Sequence, residues 1–227
     1  MAITTSQPET ESRISEITST LHYLTLGAII GPLLFVLTWF ILGFISPGYT
    51  LFDKEIAPYS AISQPISGLG MGSTAPIMNA AFVVGGILII GGVIGIFQII
   101  PDLSKSTRRT YTILFGLTGL GMIIDGVFNL EAVMMHALGF GLAVLGAIAG
   151  FYLAGRKLRR IPQWDTIGKW LVIASPMTLL LTILYFATFN PEMAGENQGI
   201  AGLTQRMLVL EMYVWFVALG WLAYRRA

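Results

Sequence analysis

From residue 24 onward, long uncharged apolar runs alternate with short polar stretches. Runs near or above ~18 apolar residues are long enough to cross a bilayer as helices. Six such spans can be marked, at about 24–45, 76–100, 111–130, 132–155, 167–189 and 207–224. Residues 1–23 are polar and acidic, without the basic start and apolar centre of a cleaved signal. They read as a solvated tail, helical from Ser12, with Thr10 or Ser12 as its cap. The first span then serves as its own uncleaved targeting signal. The pattern predicts an all-α fold, with residues 24–224 forming one polytopic bundle of six transmembrane helices.

Two connections break the rhythm. The first, 46–75, is long enough to carry structure of its own. Its Ile62, Ile66 and Leu69 share one helical face, which predicts an amphipathic helix at the membrane interface from near Ser60. Gly68, Gly70 and Gly72 would end it. The second, Asn190 to Arg206, is polar and reads as flexible at first. Inside the spans, pairs such as Gly27/Gly31 and Gly146/Gly150 have the spacing at which membrane helices pack closely over small residues.

Composition removes the alternatives. The chain is 55% hydrophobic and 11% charged, against about 25% charged in soluble domains, with a mean hydropathy of +0.75. A net charge of +1 supplies no basic field for nucleic acid. The absence of cysteine excludes disulfides, thiolate metal ligands and a cysteine nucleophile. Eleven of the thirteen lysines and arginines fall in the tail, at the C-terminus, or in and beside the connections after the second and fourth spans; only Lys54 and Arg206 fall at the opposite end. The positive-inside rule then places both termini in the cytoplasm of a multi-pass protein of the cell membrane.

The polar chemistry gathers at the outer end. Asp125 lies fourteen residues past Tyr111, about 21 Å along a helix, and so in the outer third of a ~30 Å hydrocarbon layer. Asn129 follows four residues later, which predicts that the two share a face. Glu131 lies in the turn, His136 opens the fourth span, Arg206 opens the sixth and Glu211 follows. Charged groups in spans face the bundle interior and find partners, so this set predicts an outward-facing polar pocket. Arg206 and Glu211, five apart, point about 140° away from each other and should seek partners on other helices. No metal or other cofactor is expected: the HExxH pattern is absent, and His22 lies at the cytoplasmic end. A zinc site would have to draw its three ligands from Asp125, His136 and Glu211. Ser63 and Ser67 lie on the same side as His136 and Asp125, which allows a Ser–His–Asp arrangement without a GxSxG elbow.

The run Tyr59-Ser60-Ala61-Ile62-Ser63-Gln64-Pro65-Ile66-Ser67-Gly68-Leu69-Gly70 resembles the signature loop of the family called domain of unknown function 998, prokaryotic membrane proteins of about six spans. His136 at the start of the fourth span and Gly202-Leu203-Thr204-Gln205-Arg206 ahead of the sixth are similar to it as well. Gly68 stands where the family often carries an acidic residue. The resemblance implies the six-span fold, and it marks Ser63, Ser67, His136, Gln205 and Arg206 as motif positions.

Three functions fit these residues. In the first, a pocket formed by Arg206, Gln205, Asp125, Asn129, His136 and Glu211 binds or transports a small polar molecule or a lipid headgroup. In the second, the protein is a membrane-embedded hydrolase or transferase acting on lipid, with His136, Asp125, Ser63 and Ser67 as candidate catalytic residues. This requires His136 within hydrogen-bond reach of a carboxylate or a serine hydroxyl. In the third, the protein is a structural or accessory subunit, which requires a fully paired Arg206 and no cavity beside it.

Overall fold

The structure, a computed structural model, describes residues 19–226. The tail helix expected from Ser12 and the basic Arg13 lie outside these residues. Among the described residues, six helices are long and apolar enough to cross a membrane. They are α1 (Gly27–Ile45, with helical turns leading in from Ser19), α2 (Ala75–Ile99), α3 (Lys105–Val127), α4 (Val133–Leu158), α5 (Asp165–Thr188) and α7 (Ala201–Tyr224); α6 (Pro191–Gly195) is a short turn of helix between the last two. Each spanning helix packs on the next, and α7 closes the ring against α1 and α5. The outward-facing sides carry exposed Ile30, Leu37, Phe40 and Ile41 on α1 and Ile173, Leu180 and Ile183 on α5, as a lipid-facing surface requires.

Lipid supplies little hydrophobic drive between helices, so close contact over small residues holds them. At the α2–α3 crossing, a methyl group on Gly86 would overlap the carbonyl of Gly119, and one on Gly119 would overlap that of Gly86. The middle of the ring is filled by Phe97, Phe115, Phe151 and Phe216, all fully buried. Their rings meet edge to face at 5.0–5.9 Å, a geometry their quadrupoles favour.

The long connection departs from expectation. No amphipathic helix forms from Ser60, and Ile62 is exposed while Ile66 and Leu69 are buried. Instead, β1 (Tyr49–Leu51) and β2 (Lys54–Ile56) form an antiparallel hairpin, with Leu51 opposite Lys54. Phe52 and Asp53 turn it at φ +48° and +63°, the left-handed pair that matches strand twist. Two 3₁₀ turns follow, Ile66–Gly70 and Gly72–Thr74. Pro65 and the glycines disfavour a regular helix, and the segment gains more by burying Ile66 and Leu69 between α1, α2 and α7 than by lying on the interface. The all-α class therefore holds with one small hairpin added.

Helix ends also shift. The third helix starts at Lys105, six residues before the apolar run, because Ser104 caps it by accepting from Thr107 N–H at 3.2 Å. The sixth span begins at Ala201, so Gln205 and Arg206 lie in its second turn and are buried.

Candidate functional site

The turn between α3 and α4 is tight. Helix α3 ends at Val127, and Asn129 Oδ1 accepts from Glu131 N–H at 3.0 Å, an Asx turn that starts α4 at Val133. Asn129 has thus left the helix that carries Asp125, and the expected shared face does not exist. Glu131 is exposed. One turn into α4, the His136 ring folds back over the end of α3, its Nδ1 2.9 Å from Phe128 O.

A carbonyl only accepts, so Nδ1 carries a proton, and in the neutral ring Nε2 bears a lone pair. That lone pair faces Ser67 Oγ at 2.8 Å. Asp125 Oδ1 lies 3.6 Å from Nδ1, and both side chains are nearly buried. Asp125 Oδ1 has no hydrogen-bond partner. The close approach depends on Gly139: a methyl there would overlap Asp125 Oδ1 and stand 2.8 Å from Gly121 O. Gly139→Ala should therefore push α3 and α4 apart at the site, costing about 1–3 kcal/mol. A lowered melting temperature of the purified protein would register this.

Ser67 reaches His136 because α7 pulls the loop inward. Gln205 Oε1 accepts from Ile66 N–H at 2.6 Å. Arg206 Nη1 donates to Ala61 O, Gln64 O and Gly202 O at 2.7, 3.0 and 2.9 Å, and its Nη2 donates to Tyr59 Oη at 2.6 Å. The guanidinium also lies over Trp39, 5.2 Å from the ring centre. Tyr59 passes a hydrogen bond on to Pro65 O at 3.1 Å. Burial raises the Tyr59 phenol above its ordinary pKa, and nearby Arg206 only partly opposes this, so Tyr59 stays a donor. Gly202 leaves room for the loop; a methyl there would meet Ala61 O at 2.6 Å.

The sequence-marked residues therefore separate into groups. Ser67, His136 and Asp125 come together, with Gln205 beside them. Arg206 is 6% exposed and grips the loop from within. Ser63 points away from His136, its Oγ 3.5 Å from Asn197 Oδ1. Glu211 faces α5, accepting from Thr178 Oγ1 and Trp215 Nε1, both at 2.7 Å. The ligand set Asp125, His136 and Glu211 is consequently not assembled, and no group of three His, Asp or Glu side chains suited to a metal occurs among the described residues. His22 stacks on Tyr224 at the opposite end, 4.3 Å between ring centres.

Two cavities adjoin Ser67. One, of about 40 Å³, reaches Asp125, Met122 and Tyr213. The other, of about 320 Å³, is bounded by the hairpin, the start of α4 and the end of α5. Ser67 and Gln205 line both cavities, and His136 lines the larger. Sequence reasoning missed three contributors. The Phe128 carbonyl carries no side-chain signal. The Tyr185, Phe186 and Phe189 wall looks like ordinary span sequence. Asn197, which takes Gln64 Nε2–H on its Oδ1 and donates to Pro58 O at 2.9 Å, lies in a stretch read as flexible.

Six spanning helices around a buried polar cluster make this a polytopic integral membrane protein, with a serine hydroxyl against a histidine near one end. The chain belongs to the family described as Protein of unknown function (DUF998), whose family model matches residues 29–222. No curated protein and no solved structure matches it.

Proposed function

We propose that the protein is a membrane-embedded hydrolase or transferase that uses Ser67 as nucleophile on the carbonyl of a lipid ester or amide. The 2.8 Å contact between Ser67 Oγ and His136 Nε2 carries this reading, because it sets the imidazole lone pair on the serine proton. Phe128 O holds the tautomer, and Asp125 stands at ion-pair distance to stabilise the imidazolium.

In the step proposed, Nε2 takes the Ser67 proton as Oγ bonds the carbonyl carbon. The bond from that carbon to the leaving oxygen or nitrogen then breaks, and the leaving atom receives the proton from Nε2. Water or a second alcohol gives its proton to Nε2, attacks the acyl-serine and releases Ser67, which recovers its hydrogen. Gln205 is the oxyanion donor. With Oε1 holding Ile66 N–H, the amide's Nε2 is the end left to donate in the wall it shares with Ser67. Gln205→Glu keeps the acceptor for Ile66 and deletes the donor, so kcat should fall about 10²-fold or more with KM little changed.

The four-phenylalanine plug speaks against transport. Phe115 lies on α3 ten residues from Asp125, about 15 Å, and is fully buried among Phe97, Phe151 and Phe216. A polar solute would have to part four packed rings. Arg206 spends both terminal nitrogens on the loop and on Gly202, leaving only its buried Nε without a partner, which favours a loop-holding role over anion binding. The distribution of lysine and arginine supports an outward-facing site in the cell membrane, with both termini cytoplasmic.

A fluorophosphonate probe tests the chemistry. Wild-type protein in detergent should be labelled, with the modified peptide containing Ser67. Absence of labelling, or a modified serine other than Ser67, would overturn the proposal.

A further inference from the structure

The larger cavity has a polar end and a carbon wall. Ser67, His136 and Gln205 stand together in its lining, and most of the rest is apolar. On α4, Val133, Ala137 and Phe140 fall at i, i+4 and i+7, one helical face. Beside them, the end of α5 supplies Tyr185, Phe186 and Phe189. The rings form a packed wall: Phe140 lies 5.4 Å from Tyr185 and 5.8 Å from Phe186, and Tyr185 lies 5.6 Å from Phe189. A polar substrate filling this space would lose hydration without gaining partners. A hydrocarbon chain would not.

The lining also runs onto the outside of the protein. Val133 and Phe186 are 54% and 59% exposed and belong to helices whose outer sides face lipid. Phe52, at the hairpin tip, is 65% exposed. The lining is therefore continuous with the lipid-facing surface of the bundle.

We infer that this cavity is an acyl-chain pocket: a membrane lipid enters from the bilayer, its tail lies under the hairpin against the start of α4 and the end of α5, and its ester or amide carbonyl rests at Ser67 between His136 and Gln205. The inference rests on the Ser67 chemistry proposed above. Ala137 and Phe186 set how much tail is accepted, Ala137 because a larger side chain there narrows the pocket and Phe186 because removing its ring widens it.

The experiment pairs fluorophosphonate labelling with turnover of p-nitrophenyl acetate, butyrate, octanoate and laurate by purified wild-type, Ala137→Phe and Phe186→Ala proteins. In wild type, kcat/KM for octanoate should exceed that for acetate by about tenfold or more, the scale on which apolar pockets discriminate tail length. Ala137→Phe should move the optimum to acetate or butyrate, and Phe186→Ala should move it toward laurate. Partition of esters into micelles is the same for all three proteins, so a shift between variants reports the pocket. A wild type that is labelled at Ser67 but shows no chain-length preference, or keeps one preference in both variants, overturns the acyl pocket and leaves the serine chemistry standing. A wild type that is not labelled overturns that chemistry, and this inference with it.

Discussion

Ester turnover by the Ser67→Ala variant is expected to be lost, by roughly 10³-fold or more, and His136→Gln should match it. The two act as a unit: without the imidazole, the Ser67 hydroxyl keeps its proton at neutral pH, and without the hydroxyl, the imidazole has nothing to activate. Asp125→Asn is the informative companion. Where an aspartate alone fixes the histidine tautomer, its amide can reverse the ring's protonation. Here Phe128 O holds the Nδ1 proton at 2.9 Å, while Asp125 stands off at 3.6 Å. Asp125→Asn should therefore remove charge stabilisation alone, for a loss of about 10- to 100-fold, well short of the serine variant. Rates for the three proteins, normalised to folded protein by size-exclusion chromatography, check this. An unaltered rate in Ser67→Ala would remove the serine from the chemistry. A loss in Asp125→Asn as deep as in Ser67→Ala would mean that Asp125 sets the tautomer.

Arg206→Ala should act on stability. Its guanidinium is the shared donor for Ala61 O, Gln64 O and Tyr59 Oη, and so joins three points of the loop to α7. Truncation takes the Arg206 donors from these oxygens, at about 1–3 kcal/mol for each left buried and unpaired, and removes the cation from the face of Trp39. A net cost of about 3 kcal/mol lowers the melting temperature of a chain this size by roughly 10 °C. Arg206→Lys should recover little, because one ammonium cannot span the fork. Ser67 should lose its place as the loop loosens, so labelling falls together with stability. Full stability in Arg206→Ala would show that the loop is held by other means.

Local patterning made the six helices legible. Each backbone polar group in hydrocarbon must be satisfied within its own segment, so a run of about twenty apolar residues leaves little choice but a helix, whatever its neighbours do. Helix ends were less legible, because they depend on caps such as Ser104, and on packing that buries Gln205 and Arg206 inside the sixth span. The loop from 46 to 75 was misread for the same reason in reverse. Period 3.6 in Ile62, Ile66 and Leu69 is a local signal, whereas burial against α1, α2 and α7 is a long-range gain that no window of sequence contains.

The candidate site divides along the same line. Composition and spacing were enough to bring Asp125, His136, Ser63, Ser67, Gln205 and Arg206 to one end of a bundle, since alternating spans leave each residue a defined end. Choosing among them required distances between segments far apart in the chain. Ser63 and Ser67 are four residues apart and chemically alike, yet the 3₁₀ turn aims only Ser67 at His136. Arg206 and Glu211 both read as pocket charges, until one closes on loop carbonyls and the other on Thr178 and Trp215. By itself the sequence determined a helical membrane protein, because the transfer energy of apolar runs is additive along the chain. Which polar groups meet was decided only by the tertiary structure, because a hydrogen bond depends on positions fixed to a few tenths of an ångström by every helix around it.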